Sequence, residues 1–392
     1  MLVNLDDYRD LARRRLPKTV FDVIEGGGAD ELTLRRNRSA FEHLLLRPRS
    51  LGDTNTRDLS TTVFGDRVSI PLLLGPAGLA RMAHRHGELA VARAAARADV
   101  IYAVGTATSY ELEDIATSTT QPKWFQLYPP SDRGECAALI SRAQLAGFKA
   151  LCVTVDGSVN GLRERDRRNH LTVPLRVTPR LVTQALARPR WALDFARGGV
   201  GRGAQGTSGL SRNDVRRSRS WAEGARAIAA TVRSVTVGDI EFIRSQWTGP
   251  LVIKGVHRAD EVDLMLGLGA DGLVVSNHGG RQLDTVLSSI EALPEVVHEV
   301  GGRAQVFVDG GFRRGTDVVK ALALGARAVL VGRPYFHGLA IGGERGVADV
   351  IATLRSEIDN TMALLGCASI VELNPTYVQA LPGFAGRHVD RG

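Results

Sequence analysis

The sequence predicts an α/β protein built on a (βα)8 barrel, with an N-terminal helical segment and a long insertion after the fourth strand. Eight short apolar runs that end in glycine or polar residues recur along the chain. These runs are continuously apolar rather than alternating, which is typical of parallel strands buried on both faces. Helical patterns such as HGELAVARAAARA and GTDVVKALALGA fill the intervals, and this β–α alternation indicates the barrel.

The spacing of the runs places the barrel and its insertion. The predicted strands lie at 70–76, 100–106, 123–128, 150–156, 250–256, 272–277, 305–311 and 328–334. Their starts are 22 to 33 residues apart, except for 100 residues between the fourth and fifth, so about 165–235 forms an insertion. Residues 1–69 precede the barrel as a mainly helical segment. Because no repeat other than the βα unit is present, we expect a single domain over 1–392.

The composition excludes several classes of protein. The 392 residues are 44% hydrophobic and 23% charged, as in globular proteins. No apolar run approaches the roughly 18 to 20 residues that cross a bilayer, and the start MLVNLDDYRD is too polar for a signal peptide. Cys136, Cys152 and Cys367 form no CxxC pair, so neither a disulfide framework nor a metal site is expected. The reducing cytoplasm is the expected compartment.

Positive charge is concentrated in the insertion. The chain carries a formal +8, and residues 161–220 alone hold 14 arginines and four acids, a local +10. The segment RVTPRLVTQALARPRWALDFARGG mixes apolar residues with arginines and precedes the Gly/Ser-rich stretch GVGRGAQGTSGLS. A basic amphipathic helix of this kind is typical of membrane interfaces. An active-site lid and a surface that packs on another subunit are the alternatives, and the absence of a recognisable reading motif argues against nucleic acid.

The most informative motif follows the sixth predicted strand. In such barrels the reactive groups lie at the carboxyl ends of the strands. There the sequence SNHGGRQLD, 276–284, places His278 three residues before Arg281. A histidine accepts a proton near neutral pH, and an arginine binds a carboxylate through two parallel hydrogen bonds. The motif therefore predicts acid–base chemistry on an acidic substrate.

The loops after the seventh and eighth strands, DGGFRRGTD and VGRP, predict a phosphate site. Gly310 and Gly311 allow backbone amides to approach an anion, and Arg313 and Arg333 supply charge. A helix that opens near Thr316 directs its positive end to the same place. A phosphate-bearing ligand is the interpretation we favour over simple turns.

The ends of the third, fourth and fifth strands complete the predicted cavity. Lys254 can stabilise an anion or form a Schiff base, and the phosphate loops favour a charge partner for a cofactor. Asp156 is a candidate partner for His278, because a buried aspartate fixes the tautomer of a histidine; a strand-terminating cap is the alternative. Arg163 can add a second contact to the acid group of a substrate. The remaining polar side chains at these ends are Gln126, Tyr128 and Thr154.

With these motifs in place, the sequence resembles the FMN-dependent 2-hydroxy-acid oxidases and dehydrogenases, the family of glycolate oxidase, lactate oxidase and mandelate dehydrogenase. The resemblance runs from LPKTVFD through SNHGGRQLD to DGGFRRGTDVVKALALGARAVLVGRP. VNGLRERD and ARPRWALDFARGG look most like the (S)-mandelate dehydrogenase members, in which the corresponding segment attaches the enzyme to membrane. The resemblance implies a homotetramer and peripheral contact with the inner face of the membrane.

The resemblance also implies a role for each motif residue. His278 is the expected base, Asp156 its partner, Tyr128 a substrate hydrogen-bonding group, and Arg281 and Arg163 the carboxylate ligands. Lys254 is expected beside the flavin N1 and O2. The other implied FMN contacts are the ring-face backbone of Pro76, Ala77 and Gly78, the ring-edge residues Gln126 and Thr154, the ribityl contact Asp309, the phosphate contacts Gly311, Arg313, Gly332 and Arg333, and also Thr106 and Ser276.

Several positions depart from the family pattern. Val23 occupies the place of an active-site tyrosine, Gly105 that of a serine, and Ala77 that of a threonine. Ala107 stands where the short-chain glycolate enzymes carry tryptophan, which predicts a pocket for bulky substrates. Gly78 resembles the dehydrogenases more than the oxidases.

The resemblance thus implies FMN-dependent oxidation of a bulky or aromatic 2-hydroxy acid to the 2-oxo acid. The electron acceptor is oxygen or a membrane quinone-linked carrier. Oxidation of a different alcohol in a biosynthetic pathway is one alternative. A membrane-anchored binding protein with a vestigial flavin is another.

Overall fold

The computed structural model describes residues 2–170, 178–198 and 233–389. Eight parallel strands form a closed barrel in which each strand pairs with the next along the chain, and the last pairs with the first. In chain order they are β1 Leu72–Leu74, β2 Ile101–Gly105, β3 Lys123–Leu127, β4 Ala150–Thr154, β5 Leu251–Val256, β6 Gly272–Val275, β7 Gln305–Asp309 and β8 Ala328–Val331. All eight lie within the predicted ranges, so the predicted barrel is confirmed.

The apolar runs form strands because both of their faces are buried. Alternate residues point into the barrel, as Leu73 does, while Leu72 and Leu74 pack outward against helices. Trp124 and Phe307 fill the interior, with their ring centroids 5.2 Å apart and nearly perpendicular. A strand buried on both faces needs no polar alternation, which explains the sequence pattern.

Helices surround the barrel in the predicted intervals. The phosphate loops are followed by two helices whose first turns face the mouth, Gly315–Ala323 (α13) and Arg333–Leu365 (α14). Helix α14 is broken at Gly343. Over the described residues the α-helices are α1 Leu5–Arg15, α2 Lys18–Glu25, α3 Leu32–Ser39, α4 Gly87–Arg97, α5 Leu112–Thr117, α6 Arg133–Leu145, α7 Glu164–Arg168, α8 Pro179–Leu186, α9 Pro189–Arg197, α10 Val237–Gln246, α11 Val262–Gly267, α12 Ser289–Val300, α13 Gly315–Ala323 and α14 Arg333–Leu365.

The N-terminal segment is helical only in its first part, so the prediction of a mainly helical 1–69 needs correction. After α3 the chain forms the short strand Leu44–Leu46, which pairs with Val378–Ala380 near the C-terminus. The hairpin of Thr61–Val63 and Asp66–Val68 then packs Val63 and Val68 against the interior of the barrel. Strands of three residues carry too little periodicity to be found by pattern.

The insertion contains the amphipathic helices α8 and α9, and its Gly/Ser-rich stretch 199–211 lies outside the described residues. Trp191 is buried, its indole N–H donates to the carbonyl oxygen of Met82 at 2.9 Å, and its ring stacks on Phe195 at 4.8 Å. Both aromatic side chains of α9 therefore pack on the barrel. The exposed apolar side chains of the two helices are Val182, Leu186 and Leu193.

Candidate active site

His278, Asp156 and Tyr128 meet at the mouth of the barrel, at the ends of β6, β4 and β3. The Nδ1 of His278 lies 3.0 Å from Asp156 Oδ1, and its Nε2 lies 3.3 Å from the hydroxyl of Tyr128. Since a carboxylate only accepts, Nδ1 carries the proton and Nε2 is left as the acceptor. The imidazole is thus oriented with its basic nitrogen towards the hydroxyl of Tyr128.

The surrounding charges fix the protonation states of this cluster. Burial alone would raise the pKa of Asp156, but the charge and hydrogen bond of His278, with Lys254, hold that pKa below its ordinary value. Burial and the charge of Asp156 raise the pKa of Tyr128 to about 12. At neutral pH the aspartate is therefore ionised and the phenol is a neutral hydrogen-bonding group.

Arg281 and Arg163, the two arginines that the sequence analysis singled out, lie against each other at the mouth. Arg281 donates from Nη1 to the carbonyl oxygens of Val23 and Gly26, at 2.7 and 3.0 Å. These bonds hold one nitrogen of the guanidinium group. The Nε of Arg163 is 3.5 Å from the carbonyl oxygen of Arg281. Burial, Arg163 and Arg333 together lower the pKa of Arg281 to about 9, which indicates positive charge that an anion would neutralise.

Lys254 is buried at the end of β5 between two other predicted residues. Its ammonium group donates to Ser276 Oγ at 2.8 Å and pairs with Asp309 Oδ2 at 2.8 Å. Although burial opposes its charge, Asp309 and Asp156 raise the pKa of Lys254 above its ordinary value. A lysine held this firmly as a cation is suited to stabilise negative charge and unsuited to form a Schiff base.

A polar shelf lines the side of the mouth formed by β2, β3 and β4. Gln126 donates from Nε2 to Thr154 Oγ1 at 2.9 Å, and its Oε1 accepts from the amide of Thr106 at 3.3 Å. Pro76, Ala77 and Gly78 form the neighbouring loop after β1. A Cβ added at Gly105 would lie 3.8 Å from the Ala77 backbone.

The two glycine–arginine loops lie together, as predicted. Helix α14 begins at Arg333, directly after Gly332, and a side chain at Gly332 would enter open space. Arg313 directly precedes Arg314, the N-cap residue of α13, and burial lowers the pKa of Arg313 to about 10. Gly311 has φ +85, and a Cβ there would be only 1.8 Å from the carbonyl oxygen of Asn37, so no larger residue fits. Glycine backbone and buried arginines at the starts of two helices are suited to bind a phosphate.

Several residues that hold the site together were missed by the sequence analysis. Gln282 donates to the carbonyl oxygens of Asp156 and Val159, at 2.9 and 3.0 Å, and so joins the loops after β6 and β4. Asn277 and Asn37 exchange two amide hydrogen bonds, at 2.8 and 2.9 Å. Gln282 and Asn277 belong to the motif already quoted, but their partners lie 120 to 240 residues away in sequence.

The fold and site define a class: an α/β-barrel oxidoreductase that binds a phosphorylated flavin at its carboxyl face. The chain belongs to the FMN-dependent dehydrogenase family, whose model matches residues 12–380, and FMN is its cofactor. The residues present fit that group. Within the described part of the chain, Asp309 Oδ1 is buried without a hydrogen-bond partner, and Gly332 borders open space. Arg313 and Arg333 are buried cations whose charge a phosphate would balance.

Similar proteins support the same class. The chain is 41% identical to an L-lactate oxidase from Nostoc sp., over 96% of this chain and 98% of that one. It is 40% identical to the (S)-mandelate dehydrogenase of Pseudomonas putida, over 96% and 94%. Among solved structures, the monotopic membrane protein (S)-mandelate dehydrogenase matches with a TM-score of 0.91 and 39% identity, over 97% and 99%.

Two further findings concern metals and membranes. Within residues 2–170, 178–198 and 233–389, no group of histidine, cysteine and carboxylate side chains could hold a metal ion. Over the same residues, every helix is too short or too polar to cross a bilayer.

Proposed function

We propose that this enzyme oxidises a bulky or aromatic 2-hydroxy acid to the 2-oxo acid, with His278 as base and Arg281 and Arg163 binding the carboxylate. The observation that carries the proposal is the imidazole held between Asp156 and Tyr128, with its unprotonated Nε2 at the Tyr128 hydroxyl. Arg281 follows three residues later in the same loop, and Arg163 contacts the backbone of Arg281. A base and a carboxylate-binding group at one mouth are what this reaction requires.

Each active-site residue has a separate role in the proposed reaction. Arg281 and Arg163 bind and orient the substrate carboxylate, and Tyr128 hydrogen-bonds to the substrate. Nε2 of His278 accepts a substrate proton, and the ionised Asp156 stabilises the imidazolium that forms. FMN, when bound, takes up the two electrons that the substrate carbon loses.

The same proposal assigns the FMN contacts residue by residue. Lys254 would stabilise negative charge on the ring. Asp309 would accept from the ribityl chain, and the two arginine loops would bind the phosphate. The ring would lie along the polar shelf and the loop after β1. The full set is Pro76, Ala77, Gly78, Thr106, Gln126, Thr154, Lys254, Ser276, Asp309, Gly311, Arg313, Gly332 and Arg333.

The preference for bulky substrates rests on small residues at the mouth. Ala107 and Val23 stand where larger side chains occur in the family pattern, and Gly78 packs directly against Ala107. Val23 contributes its carbonyl oxygen to Arg281 and no polar side chain. A mouth with small side chains leaves volume for a phenyl group. We expect kcat/KM for (S)-mandelate to exceed that for glycolate, and the reverse order would refute the substrate class.

One experiment tests the cofactor, the reaction and the substrate class. Absorbance spectra of the purified protein are recorded anaerobically before and after addition of (S)-mandelate. Bleaching of the flavin band supports the proposal, whereas an unchanged band would favour a vestigial flavin. A panel of non-acidic alcohols, with Arg281→Ala as the variant, distinguishes the alternative of another alcohol, since only an acid substrate loses most of its turnover.

We also propose peripheral membrane contact through α8 and α9, with a membrane carrier as electron acceptor. The exposed Val182, Leu186 and Leu193 lie on helices that also carry Arg180, Arg190 and Arg197. Apolar side chains among arginines suit an anionic lipid surface. Co-sedimentation with anionic vesicles should fall when the three apolar residues are changed to serine. Fully soluble behaviour of the unaltered protein would refute this proposal, and native mass measurement tests the expected tetramer.

A further inference from the structure

A buried ion cluster lies behind the proposed phosphate site and has no part in the mechanism above. Glu25 ends α2, and only 9% of its side chain is exposed. Its Oε1 accepts from Nε2 of the fully buried His337 at 2.9 Å, and its Oε2 accepts from Nε of Arg9 at 2.7 Å. His337 lies one turn after Arg333 in α14. The carboxylate is therefore held beside the helix start that faces the phosphate site.

The phosphate-site arginine contacts the chain on both sides of this acid. Arg333 donates from Nε to the carbonyl oxygen of Ile24 at 3.1 Å and from Nη2 to that of Gly26 at 3.0 Å. Burial lowers the pKa of Arg333 and of Arg313, and the charge of Glu25 is the leading influence that opposes this shift in each. Burial would likewise raise the pKa of Glu25, but His337, Arg313 and Arg333 hold it well below its ordinary value.

We propose that Glu25 is the internal counter-charge of the phosphate site, a positioning residue that balances Arg313 and Arg333 when no flavin is bound. The carboxylate and the FMN phosphate then interact with the same two cations and repel each other. Glu25 would stabilise the flavin-free protein and limit its affinity for FMN. The inference rests on the proposed assignment of the phosphate site and is independent of the substrate.

The proposal predicts two effects of Glu25→Gln, one on the stability of the flavin-free protein and one on its affinity for FMN. Flavin-free E25Q should melt at a lower temperature than the unaltered protein, because its arginines lose their counter-charge. It should nevertheless bind FMN more tightly, on the order of tenfold, because the phosphate no longer meets a neighbouring carboxylate. The matched control is Asp10→Asn, which removes one acid from the exposed side of Arg9 and should leave FMN affinity unchanged.

Riboflavin separates a phosphate effect from general damage to the pocket. It carries the same ring and ribityl chain as FMN but no phosphate, so E25Q should bind it with unchanged affinity. Both affinities are measured by quenching of flavin fluorescence with the flavin-free protein. Equal weakening of FMN and riboflavin binding would mean that Glu25 is merely structural, and the proposal would be wrong.

Arg9→Gln is a second variant, with the opposite expected effect on FMN affinity, and it keeps the proposal testable if E25Q does not fold. Arg9 is 36% exposed, and its loss leaves the Glu25 charge less compensated, so FMN should bind several-fold more weakly. In the E25Q background the same change should have no effect, and a persistent effect would contradict action through Glu25. Arg313→Gln tests the site itself: if it leaves the preference for FMN over riboflavin unchanged, the phosphate assignment fails, and this inference with it.

Discussion

At the scale of single residues, the site depends on charges that keep neighbouring groups in fixed protonation states. Asp156 is held ionised by His278 and Lys254, and Asp156 in turn fixes which nitrogen of the imidazole is basic. The types of these residues and their places at strand ends could be predicted from sequence. Their pairing could not, because 122 residues separate Asp156 from His278 and only the closed barrel brings them together.

The charge of Asp156 can be removed while its shape is kept. Asp156→Asn should reduce kcat by at least about a hundredfold, because the amide neither stabilises an imidazolium nor enforces the tautomer with Nε2 basic. FMN content and melting temperature are measured alongside, and both should change little. The control is Asp271→Asn, an exposed acid at the opposite end of the barrel. If D156N retained more than half of its turnover, Asp156 would have no role in the reaction.

A second residue-scale prediction concerns Lys123 and stability at alkaline pH. Lys123 is buried at the amino end of β3 and donates to the carbonyl oxygens of Thr119 and Gln121, at 2.7 and 2.8 Å. Burial lowers its pKa to about 8, below the roughly 10.4 of an unfolded lysine. Between these values the unfolded chain binds more protons, so stability contributed by this group rises with pH and then levels off.

The measurement compares the unaltered protein with Lys123→Met, which keeps the length of the side chain. The free energy of unfolding of the unaltered protein should rise relative to that of K123M between pH 8 and pH 10. Comparing the two proteins cancels the titration of every other group. A constant difference across this range would show that Lys123 stays charged in the folded state.

At the scale of elements, the N-terminal segment and the loop after β4 both pack closely on the loop after β6, which carries His278 and Arg281. Each of these contacts is made at a glycine. A Cβ at Gly161 would lie 2.3 Å from the carbonyl oxygen of Arg281, and one at Gly28 would lie 2.4 Å from that of Gln282. Asp284 anchors the other side by accepting from the amides of Leu32 and Thr33, at 3.2 and 2.7 Å. The glycine-rich run EGGGADE at 25–31 can be read from the sequence, but its contact with a loop about 250 residues away cannot.

This packing predicts a variant with a local defect. Gly161→Ala should displace the backbone of Arg281, so KM for a 2-hydroxy acid should rise about tenfold or more while the barrel remains folded. Gly267→Ala is the matched control, since a Cβ there meets nothing within 4 Å. Steady-state kinetics and far-UV circular dichroism are recorded for both. Unchanged KM in G161A would show that the loop moves without cost to substrate binding.

At the scale of the whole molecule, the two ends of the barrel differ in role: the carboxyl end holds the candidate active site, and the amino end contributes packing. The carboxyl end gathers nearly all charged groups discussed above, while the amino end is closed by the hairpin at 61–68. Phe64 in its turn packs on Trp124 and Phe307, with centroids 5.7 and 5.8 Å away. Strands, helices and the reactive end followed from the sequence because barrel geometry repeats. The hairpin did not, because its turn places Phe64 at φ +47, a conformation that side chains rarely adopt.

This separation makes Phe64→Ala a test of the division between stability and catalysis. Phe64 is half-buried, so its loss should lower the free energy of unfolding by about 2 kcal/mol, through lost packing in the barrel interior. Because the mouth lies at the other end of the strands, kcat and KM of the folded enzyme should stay within twofold. Phe64→Leu, which keeps most of the contact, should lose less stability. A large fall in kcat with intact folding would show that packing at the amino end is transmitted to the active site, and the two ends would have to be treated as one coupled unit.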